Sequence, residues 1–172
     1  MKSPAGTIRS DAHQRPAFPV SLVLEYRHIR TSVWSSGSWE VIGAVAGQHG
    51  LSQARSAVAI HKDEDGEQIL CRGYRLTLHR DDAESYYFNL MGERPSLFVV
   101  CREDNGERPE PALVTASYGE AASYSEVDEH VYAVPMPPEI YRWIEAYVVE
   151  HYVPEKRRKR KRDDWKQDGS RR

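Results

Sequence analysis

Apolar and polar positions begin to alternate at Phe18, where Val20, Leu22 and Leu24 are separated by Ser21, Val23 and Glu25. Period-two spacing puts the three aliphatic side chains on one face of a strand, which becomes the first element of a core. The small-residue run Ser35-Ser36-Gly37-Ser38 separates Trp34 from Trp39, and Trp39 to Val45 again has strand character. The pattern predicts a hairpin with both tryptophans near its mouth, packed across the strand pair instead of forming a ligand shelf. Residues 47–55 are loop-like, and Ala57 to Ile60 is a short apolar piece ended by His61-Lys62-Asp63-Glu64-Asp65-Gly66. The three acidic residues do not have the spacing of a twelve-residue calcium loop, so this tract reads as a solvated turn closed by Gly66.

The stretch Gly73–Arg102 organises the middle of the chain. Ile69 to His79 alternates, with Leu70, Arg72, Tyr74, Leu76 and Leu78 assigned to one face and Arg75, Thr77 and His79 to the other. The charged tract His79 to Glu84 turns the chain, and Tyr86-Tyr87-Phe88-Asn89-Leu90 is predicted to start a second strand. Arg94-Pro95 breaks that element. Leu97 to Cys101 is apolar throughout, as expected of a strand covered on both faces, and Asp104-Asn105-Gly106 signals a hairpin turn into a strand from Ala112 to Ala116.

Ser117 followed by Glu120 has the spacing of a capping box and predicts a short helix ending before Asp128. Val131 and Val134 mark a last brief strand. From Glu139 to Tyr152, the residues Ile140, Trp143, Ile144, Tyr147, Val148 and His151 recur at three- and four-residue intervals, which places them on one helix face. Pro138 suits the first turn and Pro154 stops the helix. The elements together predict a mainly β, α+β fold. It is an antiparallel barrel or sandwich of six or seven strands closed by one C-terminal helix, and a pleckstrin-like barrel is one arrangement of that kind.

Composition fits one domain. The chain has 172 residues, with 40% hydrophobic and 29% charged. Residues 1–17 carry two prolines and no periodicity and read as a disordered leader. Residues 18–154 read as a single globular domain and 155–172 as a disordered basic tail. No apolar run approaches the roughly 20 residues of a membrane span, and no apolar segment follows the first basic residues, so a cytoplasmic protein with no membrane partner is expected. Cys71 and Cys101 fit a reducing compartment as small buried thiols, although pairing between them stays open from sequence.

Charge is distributed unevenly. Residues 156–172 hold ten basic and three acidic residues, a surplus of +7, so a net charge of −2 leaves −9 on residues 1–155. Lys156, Arg157, Arg158, Lys159, Arg160, Lys161 and Arg162 are consecutive and form a candidate polyanion-binding tail, through which nucleic acid is a possible partner.

His79, Arg80, Asp81, Asp82 and Glu84 form the only dense polar cluster flanked by core strands. A metal site or an acid–base pair would need these side chains to converge, and consecutive strand residues point to opposite faces unless the backbone turns. An ion-paired turn with His79 oriented by Asp81 is the simpler reading. Phosphate-loop, dinucleotide, zinc-protease and serine-hydrolase signatures are absent from the sequence. The residues therefore assign no catalytic side chain, no metal ligand and no cofactor. His79, Arg80, Asp81, Glu84 and Arg102 are left as a candidate partner-binding surface.

The residues Trp39-Glu40, Leu76, Leu78-His79-Arg80-Asp81, Ala83-Glu84, Tyr86, Asn89-Leu90, Pro95, Leu97-Phe98-Val99 and Arg102 carry a resemblance that continues through Val114-Thr115, Ser117-Tyr118, Glu120-Ala121-Ala122 and Val134 to Glu139. Over about residues 19–160 the chain resembles a bacterial domain-of-unknown-function family encoded next to formate dehydrogenase genes. The resemblance implies a cytoplasmic, non-enzymatic accessory or maturation factor for a molybdenum or tungsten formate dehydrogenase. Its implied partner is a dehydrogenase subunit or a companion maturation factor. Members are sometimes labelled molybdopterin-guanine dinucleotide biosynthesis protein A, a molybdenum-cofactor nucleotidyltransferase. Such an enzyme should open with a strand and a Gly-rich loop bearing a lysine or arginine, and residues 1–50 contain no such loop.

Overall fold

A computed structural model describes residues 15–28, 37–47, 54–102, 108–126 and 129–154. Residues 1–14 of the expected leader, the basic tail, Trp34 and the Asp104-Asn105-Gly106 turn lie outside the described residues, whereas Ala17 of that leader already belongs to the first strand. Among the described residues there are seven strands, β1 (Ala17–Arg27), β2 (Ser38–Ala46), β3 (Ser56–Lys62), β4 (Gly66–Thr77), β5 (Ser96–Arg102), β6 (Glu110–Thr115) and β7 (His130–Pro135). The helices are α1 (Ala83–Leu90), α2 (Tyr118–Ser125) and α3 (Pro138–His151). The strands form two antiparallel sheets, one in the order β2-β1-β4-β3 and one in the order β6-β5-β7. With β2 lying against β7 and β4 against β6, the sheets pack as a sandwich and do not close into a barrel, pleckstrin-like or otherwise. No helix among the described residues is long and apolar enough to cross a membrane.

The alternation in β1 holds: Val20, Leu22 and Leu24 are fully buried. Tyr26 and Trp39 face each other in the β1–β2 register with ring centroids 5.3 Å apart, so Trp39 packs across the pair as expected. In β4 the single phase predicted from Ile69 to His79 is wrong. Its buried residues are Ile69 and Cys71, then Tyr74, Leu76 and, just beyond its end, Leu78, while Leu70 and Arg72 lie on the other face. The reason is a bulge: Val20 pairs with Tyr74 and Leu22 with Cys71, so Arg72 and Gly73 together oppose Ser21. Gly73 adopts φ +86°, a left-handed conformation natural to glycine, and the extra residue reverses which face is inward.

The predicted strand at Tyr86–Leu90 is also wrong; these residues belong to α1. Ala83, Tyr86 and Leu90 are its buried positions, at spacings of three and four. The aromatic run resembles a strand, but the 3-10 turn Arg80–Asp82 preceding it starts the helix, and only one of the three aromatics, Tyr86, is core. β5 behaves as predicted for a strand covered on both faces. Leu97, Val99 and Cys101 face the main core, and Val100 is fully buried on the opposite side, where α2 lies and Phe98 meets the Tyr118 ring at 5.9 Å. Cys71 and Cys101 are both buried, and no disulfide joins them.

Ser117 caps α2 as expected, its Oγ accepting from Glu120 N at 3.2 Å. The box is one-sided, because Ser117 N donates to Thr115 Oγ1 at 3.0 Å. α3 matches its predicted span to within a residue at each end and buries Ile140, Ile144 and Val148, a one-turn repeat. Trp143 flanks that stripe and meets Phe18 of β1 at 5.2 Å, which seats the helix beside the sheet.

Candidate interaction site

The chain leaves β4 at Thr77, and His79 is still extended at φ −122°, ψ 139°. The 3-10 turn follows at once, so the backbone does turn where convergence of the polar cluster required it. His79, Arg80 and Asp81 therefore line one cleft of about 860 Å³. Its opposite wall is the α3 face bearing Trp143, Tyr147, Glu150 and His151, and Arg15 and Pro16 contribute from just before β1.

Two layers of contacts hold this wall. Tyr86, fully buried, accepts a hydrogen bond from His79 N on its hydroxyl oxygen at 3.1 Å and lies edge-on to Tyr147, centroids 6.3 Å apart. Burial raises the Tyr86 hydroxyl well above the ordinary tyrosine range, and burial also raises Tyr147, with the Arg80 guanidinium opposing it. Arg80 Nη2 approaches His151 Nδ1 at 3.4 Å; a guanidinium can only donate, so Nδ1 is the acceptor. His151 also packs on the Tyr147 ring at 4.2 Å.

Asp82 faces away from this cleft into a second network. Ser117 Oγ donates to Asp82 Oδ1 at 3.2 Å and lies 3.2 Å from Ser85 Oγ. The start of α1 is thereby tied to the cap of α2, and Asp82 has a structural task.

Among the described residues no side-chain bond links His79 to Asp81, so the expected ion-paired turn is replaced by the Arg80–His151 contact across to α3. Glu84 is exposed in the first turn of α1 and does not line the cleft. Arg102, at the end of β5, does not line it either and instead reaches Glu129 at 3.9 Å. The predicted surface therefore divides, with His79, Arg80 and Asp81 together and Glu84 and Arg102 apart. Trp143, Tyr147 and His151 belong to the cleft although their helical spacing suggested core. Their i, i+4, i+8 row runs beside the buried row of Ile140, Ile144 and Val148, and such a border row faces whatever lies at the helix margin.

No group of three or more His, Cys, Asp or Glu side chains among the described residues is arranged to hold a metal ion. The cleft combines aromatic faces with donors, a chemistry suited to binding, and within it no serine or cysteine stands beside a base. Asp63, in the charged turn, accepts from Asp65 N and Gly66 N at 2.9 Å each and contacts His61 Nε2 at 2.9 Å, so it closes the β3–β4 turn.

No curated protein and no solved structure matches the chain. Residues 19–161 match the family model described as a protein of unknown function (DUF3305), a span running from within β1 past the end of α3. The chain belongs to the DUF3305 family.

Proposed function

We propose that this chain is a non-enzymatic accessory or maturation factor for a molybdenum or tungsten formate dehydrogenase, acting in the cytoplasm by binding a dehydrogenase subunit or a companion maturation factor. The formate dehydrogenase context comes from the family resemblance of about residues 19–160. The protein-binding part is supported by one observation: the polar cluster at residues 79–84 is used to join β4, α1, α2 and α3, and the cleft beside it presents Arg80, His79, Trp143 and Tyr147 as a binding surface. The nucleotidyltransferase label fits poorly with sheets whose described strand pairs are all antiparallel, because nucleotide-binding loops of that class sit between a strand and the helix of a parallel unit. The seven consecutive cations of Lys156–Arg162 favour a second reading, nucleic-acid binding through the tail.

Affinity purification of the tagged full chain from formate-grown cells separates the two. Co-purification of a dehydrogenase subunit, retained after residues 155–172 are deleted, supports the accessory role. Recovery of nucleic acid without any dehydrogenase component, lost with the tail and at raised salt, supports the second reading and sinks the first.

A further inference from the structure

Among the described strands, β3 alone is exposed at every residue from Ser56 to Lys62. It pairs with β4 on one side, and its other side is the margin of the four-stranded sheet. The three-stranded sheet lies against β4 through its own margin strand β6, so β3, one strand further out, overhangs it. Ala57 and Ala59 show the overhang: they stand opposite the buried Cys71 and Ile69, yet both are exposed. Val58 and Ile60 are 41% and 50% exposed.

An edge of this kind is a template for strand addition unless charge, proline or a bulge blunts it. From Ser56 to Ile60 there is neither proline nor charge, and the bulge between Ala59 and His61 is the one protective feature. The sequence of the edge also complements itself. Laid antiparallel on a second copy with Ala59 opposite Ala59, Val58 meets Ile60, Ser56 meets Lys62 and Arg55 meets Asp63, each pair occurring twice. Apolar side chains then fill the centre, opposite charges sit at both ends, and no like charges are opposed. Centring the pair one residue away, on Val58 or on Ile60, sets Arg55 against His61 or Val58 against Lys62. Arg55 donates to the Ala112 carbonyl and Asp63 contacts His61, but both side chains are exposed and keep further donors and acceptors. We infer that two copies of this chain join through β3, antiparallel and centred on Ala59, so that their four-stranded sheets become one continuous sheet. This goes beyond the accessory role and does not depend on it.

Sedimentation equilibrium of the full-length protein tests it. One strand pair buries little area, so dimers should form at roughly 0.1 mM protein. Ile60→Lys sets a cation against Val58 in both halves of the pair and should weaken dimerisation at least about tenfold. Ile60 is at the surface, so unchanged melting confirms that this variant folds. Oxidation with diamide reads the register. Ala59→Cys should cross-link two copies, because directly opposed Cα atoms lie about 5 Å apart, within reach of a disulfide. Ser56→Cys should not, because its two copies would lie roughly 20 Å apart along the strands. The unsubstituted protein, whose Cys71 and Cys101 are buried, is the control. A monomer at about 1 mM would overturn the inference and leave the edge to a strand of another protein. Dimers indifferent to Ile60→Lys, or cross-linking of Ser56→Cys as readily as Ala59→Cys, would overturn it as well.

Discussion

Asn89 grips Ser96 from both sides of its amide. Asn89 Nδ2 donates to the Ser96 carbonyl at 2.8 Å, and Asn89 Oδ1 accepts the Ser96 N–H at 3.0 Å. The second Nδ2 proton goes to the Ala116 carbonyl at 2.8 Å, so one side chain on α1 fastens the start of β5 to the end of β6. Asn89→Ala removes three bonds and leaves partly buried backbone groups without them. The expected loss is about 2–3 kcal/mol, read as a fall in Tm of roughly 5–10 °C. Asn89→Asp keeps the acceptor but turns a carboxylate toward two carbonyls, and should be no better near neutral pH. An unchanged melt for either variant would show that the clamp contributes nothing.

Gly73 should be hard to replace. A Cβ there would lie 2.8 Å from the Ala54 carbonyl oxygen and 2.9 Å from Arg55 Cα, at a backbone φ of +86°. Gly73→Ala is expected to cost about 2 kcal/mol or more in urea unfolding, from the left-handed backbone and the backbone contact together. Gly43→Ala is the control within the same sheet: nothing lies within 4 Å of its Cβ, so that variant should be neutral or slightly stabilising.

Alkaline pH should destabilise the fold through its buried tyrosines. Burial pushes Tyr74 up to about 12, with the Arg55 guanidinium over its ring opposing the shift, and burial raises Tyr86 as well. Unfolded tyrosines ionise near pH 10, so the stabilisation is complete below about pH 10 and is lost as pH rises toward the folded values. Each tyrosine steepens the loss by up to about 1.4 kcal/mol per pH unit. Urea midpoints measured at about pH 8 and about pH 11 should differ markedly, and Tyr74→Phe should flatten the dependence. Equal midpoints at the two values would contradict the burial of both hydroxyls.

Strands and helices whose apolar pattern had one meaning were legible from sequence. β1 could be read from Val20, Leu22 and Leu24, and α3 from Ile140, Ile144 and Val148, because each buries one regular row. The failures came where a local event changed the period. A single left-handed glycine at position 73 reversed the inward face of β4, and no residue count shows a bulge in advance. At Tyr86-Tyr87-Phe88 the β propensity of aromatics was overridden by packing of Ala83, Tyr86 and Leu90 on helical spacing. The cleft was half legible for the same reason. His79, Arg80 and Asp81 were visible as a cluster, but their meeting with Tyr147 and His151 joins positions about seventy residues apart, and only the fold brings these together.

The most direct test of the accessory role is the molybdenum or tungsten content of formate dehydrogenase purified from cells with and without this protein. Enzyme from the deleted strain is expected to be present but metal-poor and inactive. Complementation with the wild-type chain should restore the metal, Arg80→Glu should restore markedly less, and the chain lacking residues 155–172 should restore it fully. Dehydrogenase fully loaded with metal and fully active in the deleted strain would contradict it.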